Sequence, residues 1–183
     1  MTDLVGSPWR HIIESLFSVI AKPDAEGVRK MIPFQLNATQ QRLDAELCGR
    51  DIVPKARQLG VSTYVIGRYV AKSIALENQR SVIISHEESA TKRLLATATY
   101  MINNLRSPDN SIEIIVDTQR QTQAEIVFNK TNSWFYIGTA GSRAFGRGDT
   151  IDNLHCSEYA WWPEHSELLS GILGSVPTHG EVI

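Results

Sequence analysis

The segment from Asp51 to Thr63 sets the strongest constraint on the fold. A short apolar run, Asp51-Ile52-Val53, enters Pro54-Lys55-Ala56-Arg57-Gln58-Leu59-Gly60-Val61-Ser62-Thr63. The residues that follow place Val61, Val65 and Tyr69 on one stripe and Ile66, Val70 and Ile74 beside it. That spacing predicts a buried helix, so strand, glycine-bearing loop and helix succeed one another without a break. The alternation continues. Ser81 to Ser85 reads as a buried strand, and Ser85-His86-Glu87-Glu88 has the spacing of a capping box. The helix it opens carries Leu94, Ala98, Met101, Ile102 and Leu105 on one side and ends near Ser107-Pro108-Asp109-Asn110. Ile112 to Val116, Ile126 to Phe128, Trp134 to Ile137 and Asp152 to Cys156 read as strands, the middle two joined as a hairpin across Asn129 to Asn132. Ser166 to Leu173 is a short helix, and Gly180-Glu181-Val182-Ile183 reads as the start of a strand, which predicts a fragment. Strands alternating with helices imply an α/β fold whose sheet is mainly parallel and flanked by helices.

Upstream, Pro8 to about Ile20 reads as an amphipathic helix broken by Lys22-Pro23-Asp24. Asn37 is an N-cap for a helix through Gln40, Leu43 and Leu47, closed by Gly49. The chain has 183 residues, 42% of them apolar, enough for one domain with a real core. A net charge of −2 announces no global attraction to nucleic acid, though it leaves room for a local basic face. Cys48 and Cys156 stand apart without metal spacing, which fits a reduced, cytosolic compartment. No apolar run is long enough for a membrane span, and Asp3 and Glu14 interrupt any signal-peptide pattern.

The loop has the outline of a phosphate-binding loop with its usual lysine missing. In GxxxxGK[ST], backbone N–H groups cradle phosphates, the lysine reaches the terminal phosphates and the hydroxyl meets Mg²⁺. With Gly60 on the second glycine, Ser62 takes the magnesium position, Val61 the lysine position and Lys55 the first glycine. A lysine entering a loop at a helix N-terminus is well placed for anionic oxygen; the plain alternative is a solvated strand flank.

Three further segments match parts that a nucleotide site needs. Ser157-Glu158 ends the strand Asn153-Leu154-His155-Cys156, where an acid can polarise an attacking water. Serine stands where a first acid is expected, so Ser157 reaches a metal only through water. The plain alternative is a glutamate exposed at a strand end. Gln40 lies upstream of the loop, and its amide can read both edges of adenine or be a solvated helix residue. Phe34 can cover a base or fill the core. Arg143-Ala144-Phe145-Gly146-Arg147-Gly148 offers arginines to γ-phosphate, to a DNA backbone or to solvent alone. Arg57 can touch phosphate or position Glu158. Trp161 and Trp162 read as packing residues, and His86, His155, His165 and His179 lack metal spacing.

Together, Phe34 to Gln41, Lys55 to Thr63, Arg147-Gly148-Asp149-Thr150-Ile151 and His155-Cys156-Ser157-Glu158-Tyr159-Ala160-Trp161-Trp162-Pro163 resemble the ATPase domain of tailed-bacteriophage large terminases. The likeness runs from about Phe34 onward, with residues 1–33 as an N-terminal helical segment and 34–183 as the ATPase domain. The resemblance implies a RecA-like (ASCE) P-loop fold, ATP and Mg²⁺, and hydrolysis coupled to translocation of double-stranded DNA into a procapsid. It implies phosphate contacts from Lys55, Ala56, Arg57, Gln58, Leu59, Gly60, Val61, Ser62 and Thr63. It gives Lys55 the phosphate-lysine role, Ser62 the metal, Glu158 the catalytic glutamate, Gln40 the adenine and Arg147 an intersubunit arginine finger. Portal protein, small terminase subunit and a homo-oligomeric ring follow as partners, in the cytoplasm of an infected bacterium or one carrying a prophage. Two departures stand out: Ser157 replaces the usual aspartate, and no nuclease domain lies within these residues. A helicase-like ATPase of the same fold, and a non-catalytic assembly or DNA-binding module with a degraded nucleotide site, are the alternatives.

Overall fold

A computed structural model describes residues 6–107, 109, 114–121, 124–141 and 150–183. Its elements in chain order are α1 (Pro8–Leu16), β1 (Ser18–Ile20), β2 (Met31–Pro33), α2 (Ala38–Glu46), α3 (Val61–Ala75), β3 (Arg80–Ser85), α4 (Glu88–Asn103), β4 (Thr118–Gln121), β5 (Glu125–Phe128), β6 (Ser133–Thr139), β7 (Asn153–Cys156), a single 3₁₀ turn (Tyr159–Trp161), α5 (His165–Leu173) and β8 (Glu181–Val182).

Six strands form the main sheet in the order β4-β5-β6-β3-β7-β8. The pairings β6–β3, β3–β7 and β7–β8 are parallel, whereas β4–β5 and β5–β6 are antiparallel. The fold is therefore α/β with a mixed, mostly parallel sheet. Its two faces are covered differently, as β3 makes plain. Ile83 belongs to the core shared with α1, α3 and α4, while its neighbour Ile84 packs with Leu154, Trp162 and Ile172 of α5. Successive residues of a strand point to opposite faces, so one apolar run serves two cores. No described helix is long and apolar enough to cross a membrane.

Several local expectations are corrected. The first helix stops at Leu16, and Ser18–Ile20 turns into a strand paired antiparallel with Met31–Pro33. The N-terminal segment is thus helix plus hairpin, and its Ile13 and Phe17 share the core of α3. Ile52 and Val53 join no strand; Arg50 alone bridges to Val182, and Ile52 is 95% exposed. Ser85 does not cap α4: it is the last residue of β3, and Glu87 caps the helix backbone without a side-chain bond. Leu95, not Leu94, is the buried leucine of α4. Ile114 to Val116 form no strand, and the next strand is Thr118–Gln121.

A buried polar network fixes α3 against the sheet and against α2. The Arg68 guanidinium donates to both Glu181 oxygens at 2.7 to 3.1 Å, and Lys72 lies 3.1 Å from the same carboxylate. The Tyr64 hydroxyl donates to Asp44 at 2.6 Å, Ser7 bonds Asp44 through both its N–H and its hydroxyl, and Lys72 donates to Asn153 at 2.7 Å. Burial raises the Glu181 carboxyl, but Arg68 and Lys72 outweigh it and hold the group below the usual carboxylate range. Every charge in the network has a partner, which is the condition for burying charge at tolerable cost.

Candidate functional site

The loop before α3 owes its shape to backbone conformations that few residues adopt. Gln58 (φ 64°) and Gly60 (φ 76°) are both left-handed. Gly60 precedes α3, and no side chain caps the helix, so its first N–H groups face the loop. Such a terminus attracts anions through its N–H groups and its dipole. The loop is tied down from α2. Asn37 accepts from the Gln40 N–H at 3.0 Å, and Gln40 accepts from the Asn37 N–H at 2.9 Å, a complete capping box. The spare amide hydrogens then reach across: Asn37 to the Leu59 carbonyl at 3.3 Å and Gln40 to the Gly60 carbonyl at 2.8 Å. Gln40 is only 3% exposed and acts as a tether of the loop rather than an open base-reading edge. Phe34 is buried against Gly67 of α3, in the core.

Gly60 cannot easily be anything else. A Cβ there would sit 2.7 Å from the Gln40 amide nitrogen. Gly60→Ala is therefore expected to lower the unfolding free energy by about 2 kcal/mol, from the left-handed penalty and the lost tether. Urea denaturation checks this, and an unchanged midpoint would contradict the loop geometry.

Across from the loop, β7 and the residue after it deliver three polar side chains toward α3. Asn153 and His155 of β7 and Ser157 just beyond it are spaced two apart, so they share one face. Asn153 meets Lys72, while His155 Nε2 and Ser157 Oγ each lie 3.4 Å from Ser62 Oγ. Ser157 and His155 are buried, at 6% and 4% exposure. Burial pushes the His155 imidazole down to about 4, so it is neutral at ordinary pH. Burial likewise pushes the Cys156 thiol up to about 12, which makes it inert. The buried indole of Trp162 donates to the Ser157 carbonyl at 3.1 Å and anchors the end of the strand.

Glu158 follows in a left-handed conformation (φ 55°, ψ 40°), uncommon for a residue with a side chain. Backbone strain of this kind concentrates at functional sites. Its carboxylate accepts from Lys55 Nζ at 3.0 Å, across 103 positions of sequence. Bonding to the Lys55 ammonium holds the Glu158 carboxyl below its ordinary value. The two side chains are 21% and 36% exposed, so the pair is within reach of solvent and of a ligand.

Two clefts flank this centre. One of about 530 Å³ is lined by Arg57, Gln58, His86, Arg93 and Leu94; the other, of about 490 Å³, by Ile52, Val53, Pro54, Lys55 and Leu169. They share Ser62, Ser157, Glu158 and Trp161, the last of which is 67% exposed rather than packed. Arg143 and Arg147 lie outside the described residues. Among the described residues no three His, Cys, Asp or Glu side chains converge as a metal cage.

Lys55, Ser62, Ser157 and Glu158 thus converge, with Ala56, Arg57, Gln58, Leu59, Gly60, Val61 and Thr63 forming the loop and first turn beside them. From sequence His155 reads only as a histidine without metal spacing. Its signal was present, as polar residues at every second position of an otherwise buried strand. Comparison with protein-family models and with curated proteins finds no match for this chain.

Proposed function

We propose that this chain is the ATPase domain of a tailed-phage large terminase with a RecA-like P-loop fold, hydrolysing ATP to drive double-stranded DNA into a procapsid. One observation carries the chemistry. Lys55 at the loop entrance and Glu158, two residues beyond β7, meet at 3.0 Å beside an uncapped helix N-terminus. A phosphate-binding cation, backbone donors and a candidate general base are the parts phosphoryl transfer requires. The site also lies at the carboxyl ends of parallel strands β3 and β7, where open α/β sheets bind ligands. The chain entering the loop bridges to β8 rather than to β7. One strand, β8, therefore lies between the chain that enters the loop and β7.

Ser62 and Ser157 are hard oxygen donors, the kind Mg²⁺ takes, but neither is charged. They fit a Mg²⁺ that arrives with phosphates and keeps most of its waters. Bound Mg²⁺·ATP supplies the transferable phosphoryl group and a cation that neutralises its developing charge. The chain's own residues do the rest. Lys55 exchanges Glu158 for phosphate oxygens, and Glu158, released, orients and deprotonates water. Without its ammonium partner the Glu158 carboxyl returns toward its ordinary value and becomes a stronger base. In this scheme Gln40 reads adenine only by giving up its bond to the Gly60 carbonyl. The arginine finger (Arg147), the ring, portal protein and small terminase subunit belong to the same proposal, as does the bacterial cytoplasm.

Lys55→Ala is expected to weaken ATP binding about 10- to 100-fold, the worth of a charge-assisted bond to phosphate. A titration with a fluorescent ATP analogue measures this, and unchanged affinity would remove Lys55 from the phosphate role.

A further inference from the structure

The hydroxyls of Ser62 and Ser157 have several possible hydrogen positions, and the groups around them favour one arrangement. The Ile183 carbonyl lies 2.8 Å from His155 Nδ1 and can only accept, so Nδ1 carries the ring hydrogen. His155 is 4% exposed, and burial of this kind disfavours the charged ring, so Nε2 is then an acceptor, enclosed in the protein, with Ser62 Oγ at 3.4 Å. If Ser62 turned its hydrogen to Ser157, Nε2 would be left buried without a donor, an arrangement proteins avoid. If Ser62 donates to Nε2, Ser157 can donate to Ser62 across their 3.4 Å separation and every group is satisfied. The result is a directed chain, Ser157 to Ser62 to His155 to the Ile183 carbonyl.

We infer that His155 is a positioning residue that takes the Ser62 hydroxyl hydrogen and so turns the remaining oxygen lone pairs of Ser62 and Ser157 outward, ready for a hard divalent cation held by phosphate. It does the orienting that a carboxylate at position 157 would otherwise do, without adding charge. Ser157 is thereby a partner in the arrangement rather than a vacancy. The cation part rests on the ATPase proposal; the hydroxyl orientation does not.

Nitrogen-15 NMR of nucleotide-free protein labelled in histidine tests the orientation. The expected result is a His155 ring with Nδ1 protonated and Nε2 bare, and a shift of Nε2, not Nδ1, in Ser62→Ala. An Nε2-protonated ring, or no response to Ser62→Ala, would overturn the inference. Calorimetry tests the cation part. His155→Leu, which removes the acceptor, is expected to weaken ATP binding about tenfold with Mg²⁺ present and to leave Mg²⁺-free ATP binding unchanged. His155→Gln, whose amide oxygen can reach Ser62, is expected to stay within about threefold. Equal losses with and without Mg²⁺ would overturn the cation part. If unmodified protein binds no nucleotide, the ATPase proposal fails with the cation part, while the NMR result still decides the orientation; the NMR measurement also stands if His155→Leu does not fold.

Discussion

Glu158→Gln is expected to cut ATP turnover by about 10²- to 10⁴-fold, the usual worth of a positioned general base, while ATP still binds. Glutamine keeps the shape and can orient water but cannot accept its proton. On the proposed ATPase reading, binding is expected to be retained or strengthened, because Glu158 accepts from Lys55 at 3.0 Å and would compete with phosphate for the same ammonium. Removing the carboxylate charge releases Lys55 for the ligand. Steady-state phosphate release, with calorimetry on the same preparation, reads both effects. Turnover at the unmodified rate would exclude Glu158 as the base. A joint loss of binding and turnover would mean instead that the ion pair holds the site together.

The second large effect is on stability. Glu181→Ala is expected to cost about 3–5 kcal/mol, because it removes the main carboxylate partner of Arg68 and leaves the Lys72 ammonium only the neutral Asn153 amide oxygen. Arg68 makes three contacts of 3.1 Å or less with this carboxylate, and Lys72 a fourth. Burial already pulls the Lys72 ammonium below its ordinary value, offset only in part by Glu181, so losing the carboxylate exposes that penalty. A domain of this kind is stable by about 5–15 kcal/mol in total, so the variant would be partly unfolded on mild warming. The same carboxylate makes a pH dependence. Its folded value lies below 4.5, so its stabilisation is complete above that pH and is lost as pH falls through the lower folded value. Urea denaturation at neutral and acid pH measures both; a loss below about 1 kcal/mol would mean the network is solvated. The network also fixes the helix that carries Ser62, the proposed metal-facing residue, at one end and Arg68 and Lys72 further along.

What could be read from sequence was what repeats with a period. The stripes of α3, the apolar run of β3, the hairpin of β5 and β6, and β7 with α5 are present where apolar spacing and turn residues put them. The misses share a cause, which is that a strand needs a partner. Ser18-Val19-Ile20 continues the apolar spacing of α1 and becomes a strand only through Met31–Pro33. Ile52 and Val53 have the composition of a strand, but the bridge to Val182 ends at Arg50. At the site, loop, lysine and glutamate were legible because each residue type implies its own chemistry. The Gln40 tether and the His155 contact were not, since both depend on what stands opposite: the Gly60 carbonyl in one case, the Ser62 hydroxyl in the other.

On the proposed reading, the loop between Lys55 and Thr63 binds the phosphates of ATP with Mg²⁺. Calorimetric titration of the unmodified chain with Mg²⁺·ATP decides this. An ATPase built on Lys55, Ser62 and Glu158 gives saturable binding of about one nucleotide per chain at sub-millimolar ATP, strengthened by Mg²⁺. No binding at millimolar Mg²⁺·ATP would contradict it and favour a non-catalytic module on the same fold.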